Sequence, residues 1–283
     1  MVTLLKPIGH CFGVIKAIEL ARDVASKCKD KNIYVFGLLV NNEEVTEYLS
    51  SLGIKTVDTS IDNPLNLLNK FTKDDIVIFT AHGHPIEYEE ILKKNNVTFF
   101  DATCSKVKEC FNQIKEAEEV IYIGKLHHPE TTAALTMNKN AHLYDIKNGF
   151  DYSVLKTDHP LVINQTTLSF IELEAIHQEI KDKLPNAIFA EDICNATLLR
   201  QLAINNLYSS VDTLIIVGSK KSSNTMKLYE IAKARHKDKQ ILPVNNVDEL
   251  KEYHLEFNNA VIASGTSTSI ETINKIKEYL NSL

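Results

Sequence analysis

The sequence has no apolar run approaching the length of a membrane span, no excess of positive charge, no C-x-x-C pair, and neither common nucleotide-binding signature, G-x-x-x-x-G-K-[ST] or G-x-G-x-x-G. Each absence narrows the reading. A net charge of −6 gives nucleic acid or an anionic membrane surface no electrostatic reason to bind. The opening MVTLLKPIGH is interrupted by Pro7 and Gly9 too early for a secretory signal, so a cytoplasmic protein is expected. In that compartment five cysteines point to metal or catalysis rather than to disulfides. Without a C-x-x-C pair a zinc knuckle is unsupported, and without the glycine-rich signatures neither common nucleotide fold is expected.

What is present is an ordinary globular composition: 283 residues, 44% hydrophobic and 24% charged, enough apolar mass for a substantial core. Length alone favours two domains, but the pattern favours three. Residues 2–5 read as a short strand, 14–25 as a helix, 33–39 as a strand, and about 43–52 as a helix stopped by Gly53. A polar stretch with one leucine-bearing turn follows at 58–75, then a strand at 76–79 and a helix at about 87–94. The pattern restarts with a strand at 97–100 and helix from Cys104, and again with a strand at 187–190, a turn at 191–193 and a helix from Cys194.

Each third thus reads as strand, cysteine, helix, strand, polar loop, helix, strand, polar loop, helix. Strands alternating with helices imply parallel sheets with right-handed crossovers. The expected architecture is α/β, with three pseudo-threefold-related domains at 12–102, 103–192 and 193–283, each a small, mostly parallel sheet flanked by helices. Residues 1–11 supply a strand and Cys11, packing centrally or with the third repeat. In such sheets ligands gather beyond the carboxyl ends of the strands, where the cysteines and loops all fall. Packing about a threefold axis would let them face one central cavity.

Cys11, Cys104 and Cys194 recur at matched positions, each at the mouth of a helix whose dipole favours a thiolate. Taken singly, each is as ordinary as any small buried apolar residue; taken as a set they read as metal ligands. An iron–sulfur cluster normally takes four thiolates, so three would leave one iron open to a substrate. Cys28 and Cys110 do not recur and read as packing residues.

The first polar loop carries Asn41, His128 and Ser222; the second carries His82, Thr166 and Ser267. Histidines here suit phosphate oxygens or a proton relay, as donors able to carry charge near neutral pH, whereas His84 and His127 read as neighbours. Ser222, Ser223, Asn224, Thr166, Thr167 and Ser267 are each ordinary N-cap types, yet together they make a ring of neutral donors at helix N-termini, which suits an anion. Glu130 is open between a helix N-terminal carboxylate stabilised by the dipole and a general acid.

GHCFGV, TAHG, DATCSKV, GKLHHPE, NQTTLS, DICNATLLRQ and VGSKKSSN resemble, in order and spacing, the motifs of the 4-hydroxy-3-methylbut-2-enyl diphosphate reductase family. The resemblance covers essentially the whole chain. It implies three similar α/β domains around a [4Fe–4S] cluster held by Cys11, Cys104 and Cys194, with one iron open. It further implies His82, His128, Ser222, Ser223, Asn224 and Ser267 on the substrate diphosphate, and Glu130 with Thr166 as the proton relay. The implied substrate is a small allylic diphosphate and the implied electron donor a ferredoxin or flavodoxin, with no nucleic acid or membrane partner and a monomeric enzyme. One departure stands out: the family pattern has His-Asn where this chain has Asn41-Asn42. Asn donates a hydrogen bond but carries no charge. GHC for the commoner G-F-C and GTSTS where proline is frequent are tolerable changes. The competing readings are another three-cysteine enzyme on the plan of quinolinate synthase or the diphthamide-synthesis enzymes, a cluster-bearing paralogue without catalysis, and, weakest, a structural zinc protein.

Overall fold

A computed structural model describes residues 1–190 and 194–283; the turn expected at 191–193 lies outside the described residues. In chain order the elements are β1 (Val2–Leu4), α1 (Phe12–Lys27), β2 (Asn32–Phe36), α2 (Glu43–Ser51), β3 (Ile54–Val57), α3 (Pro64–Leu68), β4 (Asp75–Phe79), α4 (Ile86–Lys94) and β5 (Thr98–Asp101). There follow α5 (Ser105–Glu116), β6 (Val120–Gly124), α6 (Pro129–Thr136), β7 (Ala141–Asp145), a single 3-10 turn at Tyr152–Val154, β8 (Leu161–Asn164), α7 (Phe170–Lys183) and β9 (Ile188–Phe189). The last set is α8 (Asn195–Asn205), β10 (Thr213–Val217), α9 (Ser223–Arg235), β11 (Gln240–Val244), α10 (Val247–Lys251), β12 (Ala260–Ser264) and α11 (Ile270–Ser282).

The strands form three four-stranded sheets, all parallel, in the orders β3-β2-β4-β5, β7-β6-β8-β9 and β11-β10-β12-β1. These orders are one topology repeated three times. The first strand of each set lies inside, the second is added on one side, and the third crosses to the other. The fourth extends that side and leads to a cysteine. Residues 2–4 serve as the fourth strand of the last sheet, pairing Val2 with Ala260 and Leu4 with Ile262. The crossing from one side to the other creates a switch point, where the loops after the first and third strands diverge.

The chain divides into two compact units. One comprises Met1–Phe12, Thr167–Leu173 and Ile193–Leu283 and holds the β11-β10-β12-β1 sheet. Its two faces follow the strand period of two. Leu214 and Ile216 pack with Val261 and Ala263 beneath Ile204 of α8 and Leu228, Ile231 and Ala232 of α9. Ile215 and Val217 pack with Ile262 on the other face, beneath Leu250 of α10 and Ile273, Ile276 and Leu280 of α11. Burial on both faces is why β10 and β12 read as continuous apolar runs rather than alternating ones.

The other unit comprises Gly13–Thr166 and Glu174–Asp192 and holds the remaining two sheets. Val120 and Tyr122 of β6 and Ile163 of β8 lie under Val107, Cys110, Phe111 and Ile114 of α5 and Ala133 and Ala134 of α6. Cys110 is fully buried in that core, a packing residue as its failure to recur implies. Phe36, Val77 and Phe79 make a second core with Leu67, Leu68 and Leu92.

Three departures from the sequence reading have local causes. β3 was not expected, because IKTV is short and exposes Lys55 and Thr56, leaving little apolar signal. α10 was also not expected, having only one turn-length of pattern. β2 ends at Phe36 rather than at 39, because Gly37 adopts φ +92° and turns the chain there; Leu39 and Val40 are nonetheless buried, which is why they read as strand. α2, by contrast, ends as expected: Leu52 is its C-cap and Gly53 follows at φ +82°, its N–H donating to Ser50 O at 2.9 Å.

Gly124, at the end of β6, is fixed by close approach. A methyl group there would stand 2.6 Å from Thr131 Oγ1 and 2.8 Å from the Tyr122 ring. The bare backbone lets α6 dock directly on the strand end. Gly124→Ala is expected to lower stability by about 1–3 kcal/mol through overpacking, read as a lower urea midpoint. An unchanged midpoint would show that α6 tolerates displacement.

Candidate active site

In the second unit the chemistry collects at the ends of β2, β4, β6 and β8. His128 is the N-cap residue of α6, and the Glu130 backbone N–H donates to its Nδ1 at 3.2 Å. That bond makes Nδ1 the acceptor and puts the ring hydrogen on Nε2, which is buried and has no partner. A neutral His128 therefore presents one outward donor. His82 follows β4, with its ring 5.6 Å from that of His128, edge to face. Asn41, after β2, places its amide Nδ2 3.3 Å from His82 Nε2. With the amide so oriented Nε2 accepts, and the His82 hydrogen sits on Nδ1.

Burial holds the pKa of His82 down to about 4 and that of His128 down to about 3, the latter helped by His82 and Lys125. Both rings are thus neutral at pH 7 in this structure, each keeping one N–H donor. The cost of desolvating an imidazolium outweighs everything that would favour it there.

Glu130 is 1% exposed and fully engaged. The Thr166 backbone N–H donates to Oε1 at 2.8 Å and the Thr166 hydroxyl to Oε2 at 2.9 Å. The Tyr122 hydroxyl donates to Oε1 at 3.2 Å. A carboxylate at the first turn of α6 also meets the helix dipole favourably. Gln165, completely buried, ties the two loops together, accepting from the Lys125 N–H at 3.1 Å and the Thr131 hydroxyl at 3.3 Å. Tyr122 and Gln165 were missed by sequence reasoning. The signal for Tyr122 was a single hydroxyl within the otherwise apolar VIYIG; Gln165 stood unremarked inside NQTTLS.

His84 stacks on Phe79 at 3.7 Å and lies 3.2 Å from Glu89, while His127 is exposed in a left-handed turn at φ +64°.

In the first unit Ser222 is the N-cap residue of α9, its Oγ accepting from the Thr225 N–H at 3.3 Å. Asn224 is 2% exposed, and neither its amide oxygen nor its nitrogen has a partner. A buried, unpaired amide is costly and marks a place built for a polar ligand. Ser267 is also buried, and Thr167 Oγ1 lies 3.4 Å from Ser223 Oγ.

Strand pairing refines the repeat. Phe36 pairs with Phe79, Ile123 with Asn164 and Val217 with Ser264. The equivalents of His82 are therefore Thr167 and Ser267, three residues past the matched strand position. Thr166 stands one residue earlier than its expected slot, which is what turns its hydroxyl toward Glu130.

None of the cysteines forms a disulfide. Cys104 and Cys194 are the N-cap residues of α5 and α8, neither capping through its side chain, and Cys11 immediately precedes α1. Backbone bonds fix two of the turns, Cys11 N–H to Thr266 O at 2.9 Å and Cys104 N–H to Ala81 O at 3.1 Å. Half-buried cysteines at positive helix ends suit thiolate ligands, the kind of donor an iron–sulfur group takes. Cys11 and Cys194 belong to the first unit and Cys104 to the second. Among the described residues no three His, Cys, Asp or Glu side chains gather as a metal-binding group, and no helix is long and apolar enough to cross a membrane.

Because both histidine pKa values are depressed below the ordinary 6.5, the unfolded chain binds protons that the folded chain refuses. The associated stability is present above about pH 6.5 and is lost as the pH falls through the folded values. The urea midpoint is expected to fall between pH 7 and pH 5, and to fall less in a His82→Gln, His128→Gln variant. Equal slopes for parent and variant would remove these rings as the cause.

Comparison with known proteins follows the same lines. The LytB protein family matches residues 2–281. The 4-hydroxy-3-methylbut-2-enyl diphosphate reductase of Lysinibacillus sphaericus is 32% identical, over 98% of this chain and 87% of the relative. Its counterpart in Malacoplasma penetrans is 33% identical, over 98% and 95%. Among solved structures, the E-1-hydroxy-2-methyl-but-2-enyl-4-diphosphate reductase of Plasmodium falciparum superposes with a TM-score of 0.86 at 28% identity, covering 100% of this chain and 87% of that one. A second, titled (E)-4-hydroxy-3-methyl-but-2-enyl diphosphate reductase, the terminal enzyme of the non-mevalonate pathway, gives 0.70 at 26% identity, covering 100% and 99%. With matches running the length of the chain and the repeated sheets and capped loops in place, this protein belongs to the LytB family of diphosphate reductases.

Proposed function

We propose that this chain reduces (E)-4-hydroxy-3-methylbut-2-enyl diphosphate to isopentenyl and dimethylallyl diphosphate. The observation that carries the reading is the buried Glu130–Thr166 pair in a chain matched end to end by reductases. The solved neighbours are diphosphate reductases, which favours this reading over the quinolinate-synthase plan or a paralogue without catalysis. The three repeats are read as three domains, 12–102, 103–192 and 193–283, with residues 1–11 lending a strand to the third.

The overall change consumes two electrons and two protons, breaks one C–O bond and releases water. An iron–sulfur cluster held by Cys11, Cys104 and Cys194, read as [4Fe–4S] with one iron open, would supply electrons singly, received from a ferredoxin or flavodoxin, together with a Lewis-acidic site. His82 and His128 are read as donors to the substrate diphosphate. Ser222, Ser223, Asn224 and Ser267 are read as donors to the same group, and the unpartnered Asn224 amide supports that role. In turnover Glu130 would take up a proton at Oε2, where the Thr166 hydroxyl donates in this structure, and the hydroxyl would turn to accept from it. The Thr166 hydroxyl both accepts and donates, so a proton entering from Glu130 leaves toward the departing oxygen, and water departs far more readily than hydroxide. Tyr122 positions Glu130 from its other oxygen.

Glu130→Gln is expected to retain substrate binding while turnover with a reduced viologen dye falls about 10²-fold or more. Near-normal turnover would take Glu130 out of the relay.

Asn41 stands where the family has histidine, and its amide contacts His82. Asn41 is half-buried, unlike His128, so an imidazole there can take up a proton against the substrate anion; Asn41→His is expected to tighten substrate binding with turnover otherwise intact, because a charge-assisted donor is roughly twice as strong as a neutral one. Isothermal titration giving equal affinities would show that the lost charge is immaterial.

A further inference from the structure

Arg200 lies on α8 and is only 5% exposed. Its guanidinium bridges the two cysteine turns of the first unit. Nη1 donates to the carbonyl of Ala196, two residues past Cys194, at 2.7 Å. Nη2 donates to the carbonyl of Gly9, two residues before Cys11, at 2.6 Å. Nε is buried and has no partner.

Both bonds end on neutral carbonyls, and among the described residues no carboxylate lies within ion-pair distance. Arginine stays protonated under all ordinary conditions. A buried cation with neutral partners and one idle donor is expensive unless something negative shares its site. Lys227 in the same unit pairs with the carboxylates of Glu172 and Glu230; among the described residues Arg200 has no such partner. Burial works against its charge, and the Cys11 and Cys194 side chains nearby work for it. Hydrogen bonding and net charge around the sulfurs are what set the potential of an iron–sulfur centre, and second-layer partners govern how tightly it is held.

We propose that Arg200 is the positioning residue and fixed counter-charge for the iron–sulfur group on its Cys11 and Cys194 side. This rests on the functional reading above and adds to it a residue that touches neither the substrate nor the relay. The cation favours the reduced, more negative form of the group and so raises its potential. Its fork holds the Gly9 and Ala196 carbonyls, and with them the directions from which both cysteines approach.

The test uses anaerobically prepared, cluster-loaded wild type, Arg200→Met and Arg200→Lys. Two readouts are independent of turnover: the midpoint potential from redox titration, and the rate of iron release to a chelator. Arg200→Met is expected to shift the midpoint to more negative potential and to release iron about 10- to 100-fold faster. Arg200→Lys, which keeps the charge but not the fork, is expected to stay near the wild-type potential while releasing iron faster than wild type. A tie that merely joins two turns would lower thermal stability without moving the potential, and that result overturns the proposal. So does an Arg200→Lys midpoint displaced as far as that of Arg200→Met. Should Arg200→Met not accumulate as folded protein, Arg200→Gln against Arg200→Lys carries the same comparison. Wild type that takes up no iron and sulfide overturns the functional reading itself, whereas a loaded wild type with unshifted variants overturns the role of Arg200 alone.

Discussion

A parallel strand can be followed by another parallel strand only if the chain crosses back over the sheet, and the crossing is almost always right-handed. That constraint governs everything that follows in this chain. It sends each crossover through a helix, so the loop leading into that helix always leaves from the carboxyl end of a strand. Repeated with one strand order in three sheets, it places Asn41, His82, His128, Thr166, Ser222 and Ser267 at such edges, and Cys11 and Cys104 just past a fourth strand. The loops are also tethered to the sheets they leave. Their backbones are held by bonds into the strands, such as Gln165 N–H to the carbonyl of Ile123 and Gly265 N–H to that of Val217.

The helix ends then do two things at once. Each needs acceptors for its first N–H groups, and Asn42, His128 and Ser222 supply them. The same side chains stand at the edge where a ligand would arrive. His128 accepts at Nδ1 and is left with a donor at Nε2; Ser222 accepts at Oγ and keeps its own hydrogen. Fold stability thus uses one end of a side chain and leaves the other for a ligand, and Glu130 is steadied by three donors, one from Tyr122 in β6 and two from Thr166 in the loop after β8.

Much of this was legible in the sequence because the signals were redundant. The threefold recurrence of strand, cysteine and helix needed no single element to be right, and the parallel architecture followed from alternation alone. What escaped was whatever lacked periodicity or partners in the sequence. β3 is four residues long with two of them solvated, so its pattern was indistinguishable from loop. Gln165 and Tyr122 act only through contacts made by folding. The offset of Thr166 from its repeat slot depends on strand register, which spacing from the cysteines cannot give, because the loops between them differ in length. The protonation of His82 and His128 was not legible for a related reason: residue type states a capacity for charge, while burial decides whether it is used.

The neutrality of those two rings has a bearing on how an anion would be held. Salt weakens attraction between full charges at a distance, but it acts feebly on short, desolvated contacts between dipoles and an anion. Where the contacts come from neutral imidazoles such as His82 and His128, a site gains by fit and desolvation rather than by long-range pull. Such a site would capture its ligand at a rate nearly indifferent to ionic strength, and a cell's changing salt would leave that capture largely untouched.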